Sequence, residues 1–181
     1  RILILVPTRE LVLQVVESID KLNKELPFQI VGIFGGTNIN TQKKQIENGA
    51  DIVVATPGRL YDLAVSRALR LKNIQKLVID EVDVMLDLGF RHQLINIFDL
   101  LPEQHQNIMF SATMNSEVEN IISNFFRNPN KVSTALSGTP LKNIKQTRFD
   151  APNYNSKLNL LLFLLAKKEV FKRVLIFIDQ K

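Results

Sequence analysis

The sequence predicts a doubly wound parallel α/β sheet, on three observations. Short apolar, β-branched runs recur along the chain, longer amphipathic stretches alternate with them, and most runs are apolar at successive positions rather than at every second one. The last pattern marks strands covered on both faces, as in a parallel sheet sandwiched by helices. The alternation of the two element types is that of an open α/β sheet.

The expected strands are Ile2–Val6, Ile30–Phe34, Ile52–Ala55, Leu77–Ile79, Ile108–Phe110 and Val174–Ile178. Between the first two, Leu11, Val15, Ile19 and Leu22 share one helical face, widened by Val12 and Val16. Val84 to Leu101 and Val118 to Phe126 read as helices in the same way. Thr56-Pro57 predicts a helix start, with a capping hydroxyl ahead of a proline at the first helical position. Ser116 and Glu119 have capping-box spacing. Around Ser137-Gly138-Thr139-Pro140 the apolar pattern lapses, which predicts a linker over residues 137–146 between one domain at 1–136 and the beginning of another at 147–181. In that second part, Gln146–Ala151 is an expected strand and Ser156–Lys168 an expected helix.

Composition narrows the function classes. At 181 residues with 45% apolar content, the chain is long enough to bury a core without staples. It has no cysteine, which excludes disulfides and thiolate metal sites and fits a reducing compartment; a cytoplasmic location is expected. Its two histidines, His92 and His105, do not suggest a metal centre. The longest late apolar stretch, Leu158 to Ala166, is far short of the roughly 20 residues of a membrane span, so no membrane partner is expected. A net charge of +5 favours a polyanion weakly. The opening apolar run without an initiator methionine leads us to expect further chain upstream.

In open parallel sheets, ligands sit beyond the carboxyl ends of the strands. The tips to inspect are Pro7-Thr8-Arg9-Glu10-Leu11, Gly35-Gly36, Thr56-Pro57-Gly58-Arg59, Asp80-Glu81-Val82-Asp83 and Ser111-Ala112-Thr113. An acidic pair closing a strand can anchor Mg²⁺ and direct a water at a γ-phosphate; equally, acids there suit the positive end of a helix. Ser111 and Thr113 could hydrogen-bond Asp83, although both are ordinary turn residues. Thr8, Gly36, Thr56 and Gly58 lie at helix starts or tight turns, where free N–H groups attract anions. Arg9 and Arg59 add charge.

Taken together, PTREL, GG, TPGR, the DExD tetrapeptide and SAT, in this order, resemble the DEAD-box ATP-dependent RNA helicases of superfamily 2. Val78-Ile79-Asp80-Glu81-Val82-Asp83-Val84-Met85-Leu86-Asp87-Leu88-Gly89-Phe90 and Asn107-Ile108-Met109-Phe110-Ser111-Ala112-Thr113-Met114 carry the likeness most strongly. It covers nearly the whole chain, looks most like a bacterial member, and extends to Val174–Asp179, which is similar to the family's motif IV.

The resemblance implies a RecA-like domain of the P-loop NTPase type and the start of a second one, with ATP and Mg²⁺ as cofactors. It implies that Asp80 holds magnesium through water, that Glu81 is the general base, and that Asp83, Ser111 and Thr113 couple nucleotide state to RNA grip. It assigns Pro7, Thr8, Arg9, Gly36, Thr56, Gly58 and Arg59 to the RNA sugar-phosphate backbone, read without regard to sequence. The implied activity is local unwinding of short duplexes as ATP closes two RecA-like domains. A monomer is expected. Asp83 argues against the related group with histidine there, and Val82 stands where the family usually has alanine.

None of the seven glycines precedes a lysine, so the Gly-Lys-Ser/Thr phosphate loop is missing from the sequence. The expectation is a fragment truncated at both ends, inactive alone, with a sheet edge left open. The alternatives are a non-catalytic RNA-binding module and an α/β domain with unrelated chemistry, such as a flavin or phosphoacceptor protein.

Overall fold

The computed structural model describes residues 1–133 and 144–178. The chain forms two compact units, Arg1–Gly138 and Thr139–Lys181.

The first unit is built on five parallel strands, β1 (Ile2–Leu5), β2 (Ile30–Ile33), β3 (Ile52–Ala55), β4 (Lys76–Ile79) and β5 (Gln106–Met109). Their order across the sheet is β2-β3-β1-β4-β5. The register sets Leu5 beside both Ala55 and Ile79, Ile33 beside Ala55, and Ile79 beside Met109. All five carboxyl ends therefore lie along one rim.

Helix α1 (Arg9–Leu22) covers one face, setting Val12, Val15, Val16 and Ile19 on Ile2, Ile4, Ile52 and Val54. The opposite face takes α3 (Pro57–Val65), α4 (Val82–Asp87), α5 (Arg91–Leu100) and α6 (Ser116–Phe125). Leu60, Leu63, Met85, Leu94, Ile97 and Val118 pack there on Leu3, Leu5, Leu77 and Ile79. Helix α2 (Ile39–Glu47) follows β2 and sends Ile39 and Ile46 to the same core. Helices on opposite faces flank β1, and such a switch between faces opens a crevice at the strand ends.

Several expectations change in detail. Only β3 is buried at every position. Beside it α1 covers β1 and β2 only in part, and Lys76 of β4, Ile108 of β5 and Phe110 just after β5 are exposed on the α1 side. The single helix expected over Val84–Leu101 is two. Gly89, at φ +83°, takes the left-handed conformation that ends α4, and α5 starts after Phe90. The cap of α6 is Asn115 rather than Ser116. The Asn115 carboxamide oxygen accepts from the Val118 N–H at 2.9 Å, one residue ahead of the expected box. Thr56 does stand at the start of α3 with Pro57 after it, but its hydroxyl makes no capping bond.

Gly32 sets the distance between α1 and the sheet. A Cβ there would lie 3.2 Å from Val12 Cγ1 and 3.4 Å from Val16 Cγ2. Gly32→Ala should therefore push α1 outward and cost about 1–3 kcal/mol, read as a lower urea midpoint at unchanged slope.

The second unit contains α7 (Tyr154–Leu165), capped by the Asn153 carboxamide oxygen on the Ser156 N–H. The expected helix is thus present, starting two residues earlier and ending at Leu165. The expected strands Gln146–Ala151 and Val174–Ile178 are not formed. A strand needs a partner for its backbone groups. Among the described residues neither segment has one, and Leu175 and Phe177 are 78% and 87% exposed. Residues 137–143 of the expected linker, and Asp179 of the motif-IV run, lie outside the described residues.

Candidate nucleotide and nucleic-acid site

The parallel ladder brings the five polar tips to one edge, and its last hydrogen bonds hold them there. Val6 donates to Ala55, Thr56 to Ile33, Asp80 to Leu5, and Phe110 to Ile79, all at 2.8–3.0 Å. At these strand ends the ladder runs up to the tip residues and so sets their position, whereas the Gly35–Gly36 tip after β2 is held by Arg59 and Gln42.

At the end of β4 the chain turns sharply. Asp80 is half-buried, and its Oδ1 accepts from the Glu81 N–H at 3.0 Å. Glu81 sits at φ 52°, ψ 49°, in the left-handed region, where an ordinary residue pays roughly 1–2 kcal/mol. The turn is held on its far side by the Val82 N–H, which donates to the Phe110 carbonyl at 3.2 Å. Val82 is fully buried in the main core. The result is one half-buried and one exposed carboxylate side by side on the rim.

Asp83 faces the other way, into the protein, and is 6% exposed. Its Oδ2 accepts from the Thr113 hydroxyl at 2.8 Å and from the Thr113 N–H at 3.0 Å. Burial pushes the Asp83 carboxyl up. Hydrogen bonds from the Thr113 hydroxyl, the Val84 and Thr113 N–H groups and the Ser111 hydroxyl outweigh burial, so the group lies below its ordinary value. Oδ1 is buried without a well-formed hydrogen bond. The best-formed bond of Ser111 runs elsewhere, from its hydroxyl to the Thr113 carbonyl at 2.6 Å. Of the expected trio, Asp83 and Thr113 are joined directly, and Ser111 braces Thr113.

The remaining tips lie along the β1, β3 and β2 ends. Thr8 caps α1, its hydroxyl oxygen accepting from the Leu11 N–H at 3.2 Å, and Pro7 is buried behind it. The Arg9 guanidinium lies 5.1 Å from the centre of the Phe34 ring, a cation–π distance. Gly36, at φ +77°, requires glycine at the tip of the β2–α2 loop. Gly58 lies in the first turn of α3, where no side chain caps the free N–H groups. Arg59 donates twice to the Thr37 carbonyl and once to Gln42 Oε1, each at 3.1 Å. Gln42 was not among the residues expected from sequence. It is the only fully buried residue of α2, and being polar it is invisible to the apolar spacing that Ile39 and Ile46 give the helix's inward side.

The donor set suits magnesium in a limited way. Mg²⁺ prefers oxygen ligands, keeps several waters and needs only one or two carboxylates from the protein. Asp80 and Glu81 meet that demand, and no group of three or more potential metal ligands occurs among the described residues.

Residues 1–121 match a family model described as DEAD/DEAH box helicase. The chain is 36% identical over 99% of its length to DEAD-box ATP-dependent RNA helicase 41 of Oryza sativa subsp. japonica, of which it covers 33%. It is 35% identical over 100% of its length to ATP-dependent RNA helicase DeaD of Buchnera aphidicola, of which it covers 30%. The chain thus spans about a third of the length of these curated relatives. A crystal structure of a hypothetical ATP-dependent RNA helicase from Sulfolobus tokodaii superposes with a TM-score of 0.68 at 32% identity, over 71% of this chain and 39% of that one.

Proposed function

This chain belongs to the DEAD/DEAH box helicase family, and on that premise we propose that it is the central part of an ATP-dependent RNA helicase, carrying the water-directing half of the ATP site and one wall of the RNA groove. The observation that carries this reading is the common rim. The Asp80–Glu81 carboxylates, the Asp83–Thr113 bond and the anion-attracting turns of Thr8, Gly36 and Gly58 all follow consecutive strands of one parallel sheet.

Each group then has a chemical task. Asp80 would hold Mg²⁺, which would supply charge neutralisation at the phosphates. Glu81, exposed and next in sequence, accepts a proton from the attacking water. Asp83, locked to Thr113 and braced by Ser111, ties the β4 tip to the β5 tip, so a change at the nucleotide reaches the RNA-facing rim. Thr8, Arg9, Gly36 and Gly58 line that rim, where N–H groups and guanidinium charge meet phosphates without reading bases, with the buried Pro7 and Thr56 behind them and Arg59 bonded to the Gly36 loop. Closure of two RecA-like domains, residues 1–136 and the domain that begins near 147, bends one strand and separates a short duplex. The protein acts as a monomer in the cytoplasm. The chain alone does not hydrolyse ATP, because a phosphate cradle of the Gly-Lys-Ser/Thr type does not occur in its sequence.

The net charge of +5 with no such cradle also favours a second reading, a non-catalytic RNA-binding module. One experiment separates the two. A relative's Gly-Lys-Thr segment is fused ahead of Arg1, and ATP hydrolysis is followed with and without single-stranded RNA. RNA-stimulated hydrolysis supports the helicase, whereas RNA binding with no hydrolysis supports the module. With about five phosphate contacts, the logarithm of the RNA affinity should fall with the logarithm of salt concentration at a slope of about −3.5. A salt-independent affinity would remove both.

A further inference from the structure

Arg59 and the buried Gln42 form a clamp on the loop between β2 and α2. Gln42 is 4% exposed, and every polar atom of its carboxamide is used. Its Nε2 donates to the Phe34 carbonyl at 3.0 Å and to the Thr37 hydroxyl at 2.8 Å. Its Oε1 accepts from Arg59 at 3.1 Å. The orientation of the amide follows from its neighbours, because a guanidinium can only donate and a carbonyl can only accept. Arg59 Nη1 and Nη2 both reach the Thr37 carbonyl at 3.1 Å. These are charge-assisted bonds, stronger than neutral ones. Phe34, at the other end of the loop, carries the Arg9 guanidinium on its ring.

The clamp closes around Gly35 and Gly36, both exposed and open to solvent on the side where a Cβ would project. Fixing Phe34 and Thr37 fixes the directions in which the intervening N–H groups point. Arg59 meanwhile has two of its three nitrogens engaged within the protein.

We propose that Gln42 is a positioning residue for RNA binding, and that Arg59 serves the site mainly by holding the Gly35–Gly36 loop rather than by binding a phosphate. This rests on the reading of the rim as an RNA surface. A loop held in advance loses less freedom when the nucleic acid arrives. Gln42 carries no charge and lies below the surface, so it acts only through the loop.

The test uses the whole chain and a fluorescein-labelled oligouridylate, with anisotropy measured over a series of salt concentrations. Gln42→Ala should weaken binding about tenfold, the scale of one lost buried hydrogen-bonded group. Arg59→Gln should weaken it similarly, and the double variant should be about tenfold weaker, not a hundredfold, because both act on one loop. Both singles should keep the wild-type salt slope. If Arg59 itself neutralised a phosphate, Arg59→Gln would make the slope shallower by about 0.7. Gln42→Glu keeps the acceptor for Arg59 and loses both donors, so it should behave as Gln42→Ala even if the alanine variant folds poorly. Amide exchange of Gly35 and Gly36 in the free protein should quicken in both Gln42 variants. Wild-type-like affinity in Gln42→Glu, or the shallower slope in Arg59→Gln, overturns the clamp. If the wild-type chain does not bind the oligouridylate, the RNA reading of the rim fails, and the clamp's proposed role in RNA binding fails with it.

Discussion

In the fused, ATP-hydrolysing protein, Glu81→Gln should lower turnover by about 10²- to 10⁴-fold while leaving ATP affinity unchanged, as expected for loss of a general base. The isosteric amide keeps the volume and removes only the capacity to take a proton. Unchanged turnover would take the role away from Glu81. The backbone supplies an independent check. Glu81 occupies a left-handed conformation that glycine would adopt freely. Glu81→Gly should therefore be inactive yet no less stable, with a gain of up to about 1 kcal/mol in urea unfolding. A residue retained for stability would show the opposite. Strain kept at a position whose side chain is exposed is what a functional turn looks like, since packing cannot be the reason for it.

Much of this rim could be read from sequence because a parallel sheet turns linear order into position. Once five apolar runs are parallel, the residues after each must share an edge, whatever the loops do. Sequence patterns were silent where the deciding factor was a partner. Ile52–Ala55 and Val174–Ile178 have the same apolar, β-branched character, yet among the described residues only the first has neighbours on both sides to complete its hydrogen bonds. The break at Gly89 was hidden because apolar periodicity continues across it, from Leu86 to Leu94. Gln42 was hidden for the opposite reason, a polar residue occupying an inward position. Only coordinates reveal that its partners are a loop carbonyl, a hydroxyl and Arg59. The same holds for Ser111, whose spacing suits Asp83 while its strongest bond goes to the Thr113 carbonyl.

Asp83 should be the most stability-critical polar residue of the first unit, and its contribution should depend on pH in one direction. Asp83→Ala leaves the Thr113 N–H and hydroxyl without their acceptor and should cost about 2–4 kcal/mol. The folded protein holds the Asp83 carboxyl below its ordinary value of 3.8. The unfolded chain then takes up a proton first as pH falls. The stabilisation is complete above the unfolded-state value, and it is lost as pH drops through the lower, folded-state value. Asp83→Asn retains an acceptor oxygen but cannot titrate. The difference in urea midpoint between wild type and Asp83→Asn should therefore be flat above about pH 5 and shrink below about pH 4. A difference that grew on acidification would mean that burial, not the Thr113 bonds, dominates at this carboxylate. Thr113→Val isolates the hydroxyl by leaving the Thr113 N–H in place. If the hydroxyl bond is what lowers the group, this variant should lose less stability on acidification than wild type, because its folded-state value rises toward the unfolded one. If the N–H groups are enough, the acid limb should stay where it is.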